Sequence, residues 1–194
     1  MNKRTEILLE GVIMAALAMA LHFVPLNIGP SFTLSLGQIP MTLFALRRGL
    51  KPALYASFIW AMLYFVTGAA ASGILTPIQG FIEYPVAFTC VGFAGICHDS
   101  MMDALNNHKD NKARLVIIEA SLVGVFARFF WHFIAGGIFW GAYAPKGMNP
   151  WIYSIVMNGI SALASGAAAI AVLLLLYAVA PSIYRMSLHR TSKV

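Results

Sequence analysis

Apolar runs fill most of this chain, and short polar clusters interrupt them at intervals close to one bilayer crossing. A membrane-spanning helix takes about 20 apolar residues. The pattern predicts six helices, over roughly 5–25, 36–48, 52–69, 76–97, 114–141 and 150–184. The second and third are short, and "LRRGLK" divides them, with Gly49 and Pro52 supplying a turn. The last two are long enough to tilt or to project from the membrane. The N-terminal "MNKRTEILLEGVIMAALAMALHF" has the charge order of a secretory signal, but "VPLNIGP" follows it instead of a small-residue cleavage site. It is expected to stay as the first helix.

Composition strengthens the membrane reading. Of 194 residues, 60% are hydrophobic and only 10% are charged, against about 25% charged in soluble domains. So little charge does not cover a soluble surface, and residues 1–194 are expected to form one all-α integral membrane domain. The net charge of +6 does not point to nucleic acid, because the basic residues sit in clusters between apolar runs. Alternate connections hold Lys3 and Arg4; Arg47, Arg48 and Lys51; Lys109, Lys112 and Arg114; and Arg185, Arg190 and Lys193. The other connections hold Lys146 alone, and Arg128 falls inside a helix. Lys and Arg accumulate on cytoplasmic loops. Six transmembrane helices with N- and C-termini cytoplasmic are therefore expected.

Ionisable groups inside membrane segments are costly and by default mark function. Glu83 lies about seven residues from the outer end of the fourth helix, in "GFIEYPVAF". Arg128 and His132 share one face of the fifth, four residues apart. Trp140 is at that helix's outer end, and Tyr153 and Asn158 fall in the first turns of the sixth. At about 1.5 Å per residue, Glu83, His132, Tyr153 and Asn158 come to one layer some 5–15 Å below the outer surface. An ion pair of Glu83 with Arg128 that only fixes helix packing is the competing reading. It accounts for neither His132 and Asn158 nor the aromatic residues Tyr84, Tyr153 and Trp140 at nearly the same depth. A ligand pocket accounts for all of them. Its carboxylate favours a cation and its aromatic faces add cation–π attraction. His132 and Asn158 offer hydrogen bonds to a heterocycle, and Gly136, one turn above His132, admits a flat ring close to the backbone. The expected ligand is flat, cationic and nitrogen-rich.

Other chemistry lacks its signatures. There is no Walker-type phosphate loop, no G-x-S-x-G and no H-E-x-x-H. The chain is expected to be no enzyme, to carry no cofactor and no metal, and to hydrolyse no ATP of its own. Cys90 and Cys97 follow no metal or disulfide pattern. On the first helix Gly11 with Ala15, and Ala16 with Ala20, form small-xxx-small pairs. Such pairs serve close helix packing, either internally or against a partner membrane subunit.

The stretches "LTPIQGFIEYPVAF", "RFFWHFIAGGIFWGAYAPKGMNPWIYSIVMNGIS" and "IPMTLFALRRGL" resemble the thiamine-specific substrate-binding subunit, or S-component, of energy-coupling factor (ECF) transporters. The resemblance covers nearly the whole chain. It implies a six-helix protein of the bacterial plasma membrane that captures thiamine outside. It also implies association with a transmembrane coupling subunit and two ABC-type ATPases, which drive import. By the same resemblance Glu83 offsets the thiazolium charge beside Tyr84, His132 and Trp140 hold the aminopyrimidine with Gly136 close by, and Tyr153 and Asn158 complete the hydrogen bonds. The outer loops after the first, third and fifth helices would cover the site. The chain departs from the pattern in four places: Arg128 stands where some members have lysine, the first loop reads "GPSFTLSLGQ" with Phe32 its only aromatic residue and no acid, Pro145 replaces a tryptophan, and the first-helix docking motif is shifted, with Val12 near one expected alanine. An S-component for another vitamin or precursor, and an intramembrane enzyme or structural membrane protein, are the alternative readings.

Overall fold

A computed structural model describes residues 2–24, 26–28 and 32–185. Arg190 and Lys193 of the charge count, and Gly29, Pro30 and Ser31 of the first loop, lie outside the described residues. Six helices make up the bundle: α1 (Lys3–His22), α2 (Gln38–Arg48), α3 (Leu50–Val66), α4 (Pro77–Asn106), α5 (Asp110–Phe139) and α6 (Pro150–Val179). A two-residue hairpin, Asn27–Ile28 against Phe32–Thr33, lies between α1 and α2. Single 3₁₀ turns follow α3, α5 and α6.

The helix ends have local causes. Asn2 caps α1 by accepting from the Arg4 N–H, and Asn149 caps α6 from the Trp151 N–H at 2.8 Å. Thr76 caps α4 by accepting from the Gln79 N–H. Pro77 and Pro150 take the first helical position of α4 and α6, where the missing N–H costs nothing. Pro181 closes the other end of α6. Its ring does not extend a helix, so α6 stops at Val179 and a 3₁₀ turn runs over Pro181–Tyr184. The fourth connection, expected as a loop, is largely helical. His98–Asn106 continues α4, and only a short turn through His108, with φ of 53°, separates it from α5.

By length and composition α1, α4 and α6 are each able to cross a membrane, and α3 is a shorter apolar helix. Their outward faces are apolar: Ile13 is 64% exposed, Leu163 66% and Val179 76%. A soluble protein would bury such residues; here they suit contact with lipid. The short α2 spans only about 16 Å but is enclosed on almost every side, burying Gln38 and every residue from Pro40 to Leu46. Polar ties gather at the end of the bundle where α2 turns into α3. The Glu10 carboxylate accepts from Arg47 Nε at 2.5 Å and from Arg48 Nε at 2.7 Å. Arg47 also reaches the carbonyl of Arg185, whose own guanidinium donates to the Leu105 carbonyl.

Past its midpoint α4 winds as a 3₁₀ helix over Cys90–Cys97. With three residues per turn, positions i and i+3 eclipse one another. Gly92, Gly95 and His98 therefore form one row against the α2–α3 turn. A Cβ at position 92 would stand 2.6 Å from the Leu54 nitrogen, and one at 95 would stand 2.6 Å from the Leu50 backbone. His98 Nδ1 meets the Leu46 carbonyl at 2.8 Å. Backbone thus packs on backbone, without room for a side chain.

The row makes a clear expectation. Gly92→Val is expected to lower the thermal unfolding midpoint in detergent, with overpacking of about 1–3 kcal/mol or more. Gly68→Ala, at a position with nothing within 4 Å but a φ of 77°, should cost less.

Candidate functional site

The site begins with a defect in α4. Pro85 has no N–H to donate and its ring crowds the carbonyl one turn back. The helix answers by widening to a π turn over Ile82–Val86, in which the Ala87 N–H reaches the Ile82 carbonyl. Thr89 Oγ1 donates to the Pro85 carbonyl at 2.6 Å and satisfies it. Glu83 and Tyr84 ride on this turn.

Glu83 is held from two sides. Gln79, one turn earlier and fully buried, donates Nε2 to Glu83 Oε2 at 2.6 Å. Trp140 donates its indole N–H to Glu83 Oε1 at 2.8 Å. Gln79 also donates to the Gly73 carbonyl and accepts from the Leu75 N–H, both at 2.9 Å. The segment before α4 is thereby tied to the carboxylate.

Arg128 takes none of this. Its guanidinium carbon lies 4.0 Å from the centre of the Phe88 ring and 5.3 Å from those of Trp60 and Phe129. Nη1 donates to Ser35 Oγ at 2.5 Å, and Nε donates to His132 Nε2 at 3.3 Å. No ion pair joins Arg128 to Glu83 among the described residues. The bond from Arg128 Nε also sets the His132 imidazole: Nε2 accepts, so the ring proton sits on Nδ1.

On α6, Ser154 donates to the Phe133 carbonyl at 2.7 Å, and Asn158 Nδ2 donates to the carbonyl and hydroxyl of Ser154 at 3.1 and 3.2 Å. A Cβ on Gly136 would strike the Ser154 hydroxyl and crowd Asn158. The glycine is thus required by the close approach of α5 to α6. The first loop is pinned to the same helix. The Thr33 N–H donates to Ser161 Oγ at 3.1 Å and the Ser35 N–H to Ser165 Oγ at 2.9 Å. Ser161 and Ser165 are one turn apart on one face of α6.

These groups enclose a cavity of about 420 Å³ that opens at one end of the bundle. This lies within the range of small-molecule sites. Glu83, Tyr84, Arg128, His132, Gly136, Trp140, Tyr153 and Asn158 all line it. Reasoning from sequence missed His22, Tyr64, Phe88 and Ser154, which line it as well. Tyr84 stacks on Phe88 with centroids 5.8 Å apart, and Tyr64 meets the edge of Phe88 at 4.6 Å. Polar side chains and aromatic faces thus meet around one uncompensated carboxylate.

The first-helix pairs separate. Gly11 and Ala15 are buried, with Gly11 packed against Phe44 and Ala56 inside the bundle. Ala16 and Ala20 are exposed.

Residues 8–185 match the family model described as thiamine transporter protein. The chain belongs to that family. It is 43% identical over 185 residues to the thiamine transporter ThiT of Lacticaseibacillus paracasei, covering 94% of this chain and 92% of the relative. It is 29% identical to the thiamine transporter ThiT of Bacillus subtilis over 95% of this chain and 96% of that one. The solved structure of ThiT from Listeria monocytogenes superposes with a TM-score of 0.92 at 42% identity, covering 95% of this chain and all of that one. This is a family of transporters, not of enzymes, and its apolar helices make this family member a multi-pass membrane protein.

Gln79 supplies the test of the site's construction. Gln79→Met keeps the volume but removes the bonds to Glu83, Gly73 and Leu75. It should cost about 1–3 kcal/mol of stability, read as a lowered unfolding midpoint of the purified protein without ligand.

Proposed function

We propose that this family member is a high-affinity thiamine-binding S-component of an ECF-type vitamin importer. The observation that carries the reading is Glu83. It is a carboxylate in a cavity walled by Tyr84, Phe88 and Trp140, held by two neutral donors with no cation against it among the described residues. A buried charge of this kind is costly until it is paired, and a flat cationic ligand supplies the partner. The thiazolium of thiamine is then the counter-ion, stacked beside Tyr84. His132 and Trp140 hold the aminopyrimidine against the α5 backbone at Gly136. Tyr153 and Asn158 bind from α6, where the Asn158 carbonyl oxygen has no hydrogen-bond partner among the described residues. Arg128 positions His132 and the first loop and adds a hydrogen-bonding wall to the cavity.

In this reading the chain is one membrane domain in the plasma membrane. Six spans put both termini in the cytoplasm, and α2 crosses within the shelter of its neighbours. A transmembrane coupling subunit with two ABC-type ATPases drives import. The exposed Ala16 and Ala20 form the docking face of α1, beside Val12, which is 47% exposed.

Titration with thiamine tests the reading. Trp140 lines the cavity, so saturating thiamine should quench tryptophan fluorescence at nanomolar to low micromolar concentration and raise the unfolding temperature. A signal and a midpoint that both stay unchanged would overturn it.

Two variants grade the contacts. Glu83→Gln keeps the shape and one acceptor but removes the charge, and should weaken thiamine binding by about 2–5 kcal/mol while the protein still folds. Asn158→Ala should weaken it by about 1–3 kcal/mol. Isothermal titration in detergent measures both; equal affinities for wild type and Glu83→Gln would remove the carboxylate from the site.

A further inference from the structure

A second cavity lies at the other end of α1 and α3. It is a groove of about 510 Å³ between the two helices, floored by Phe44 of α2 and walled by Ile7, Leu8 and Ile59. Lys3, Arg4 and Lys51 line the same groove, and all three are exposed. None of them stands in a salt bridge among the described residues. No carboxylate lines the groove, and Glu10, on the same helix, is taken by Arg47 and Arg48. An apolar slot thus ends in three exposed cations, none of them in a salt bridge among the described residues, on a protein whose outward helix faces are apolar.

We propose that this groove binds one anionic phospholipid, with an acyl chain along Ile7, Phe44 and Ile59 and the phosphate between Lys3, Arg4 and Lys51. The two halves of the site match the two halves of such a lipid. The groove wall takes hydrocarbon at a gain proportional to the apolar area covered. The cations take the negative head group, each contributing roughly fivefold near an anionic surface. A zwitterionic lipid gains the first part but little of the second. This site is independent of the thiamine pocket, which occupies the opposite end of α1 at His22.

Native mass spectrometry of the purified full chain, given equal phosphatidylglycerol and phosphatidylcholine, tests the site. Wild type should retain phosphatidylglycerol about a hundredfold over phosphatidylcholine, the product of three roughly fivefold contributions. The triple variant Lys3→Gln, Arg4→Gln, Lys51→Gln changes exposed side chains and should keep the wild-type unfolding temperature in lipid-free detergent. Its lipid ratio should fall to near one. Ile59→Trp, which fills the groove, should reduce both adducts. The proposal is overturned if wild type shows no preference, or if the preference survives the triple substitution. Displacement of the lipid by millimolar glycerol 3-phosphate would also overturn it, because a free phosphate site would then be sufficient. So would a membrane-protein helix, cross-linked through Tyr55→Cys, that occupies the groove and excludes phosphatidylglycerol.

Discussion

Two neutral side chains, Gln79 and Trp140, hold the Glu83 carboxylate, and the nearest available guanidinium is turned away from it. That separation governs the cavity. Had Arg128 paired with Glu83, the two charges would have satisfied each other, and a cationic ligand would have had to break a buried ion pair to enter. Instead Arg128 lies on the face of Phe88 and spends its N–H groups on Ser35 and His132. The carboxyl group keeps its orientation through neutral bonds, and no cation pairs with it among the described residues. Neutral donors are the suitable holders here, because they fix a carboxylate without cancelling its field.

The backbone of α4 delivers this arrangement. Pro85 disturbs the helix and the π turn absorbs the disturbance. One-turn π bulges often occur at functional sites because they re-aim neighbouring side chains at small cost. Glu83 comes from that turn, while its holder Gln79 comes from the regular α-helical turn before it. Further along, the same helix tightens to 3₁₀ so that Gly92, Gly95 and His98 line up on the α2–α3 turn. A single chain segment thus changes winding twice, once to present a charge and once to seat itself against its neighbours.

Much of this was legible from residue spacing. Depth counting drew Glu83, His132, Tyr153 and Asn158 together because rise per residue is fixed in a helix, whatever the helices do sideways. The spacing of Gln79 and Glu83, four apart, carried its own signal and would have identified Gln79 as the carboxylate's holder. The contact of Arg128 with Ser35, 93 residues away in sequence, leaves no such mark, since it depends on how the first loop settles on Ser161 and Ser165 of α6. Helix ends shifted where a local device decided them. The polar stretch His98–Asn106 read as a loop by composition, yet it buries Met101, Ala104 and Leu105 on one face and stays helical. The glycines of α5 also needed the fold. A glycine beside a pocket suggests room for a ligand, but Gly136 and Gly137 are faced by Ser154 and Trp151 of α6, so helix packing claims the space first.

Arg128 places a cation in a cavity whose proposed ligand is another cation. Its charge opposes a positive ligand, and the aromatic faces of Phe88, Trp60 and Phe129 soften that opposition by facing it with their negative quadrupoles. In return it does three things at once. It fixes the tautomer of His132, it holds Ser35 at the root of the first loop, and it fills the floor of the cavity with a rigid plane. A lysine at this position offers a point charge on a flexible stem and matches only one of these contacts at a time. The planar fork makes loop, imidazole and aromatic floor into one unit. The cavity's shape is therefore set before a ligand arrives, which reduces the ordering cost that binding would otherwise carry.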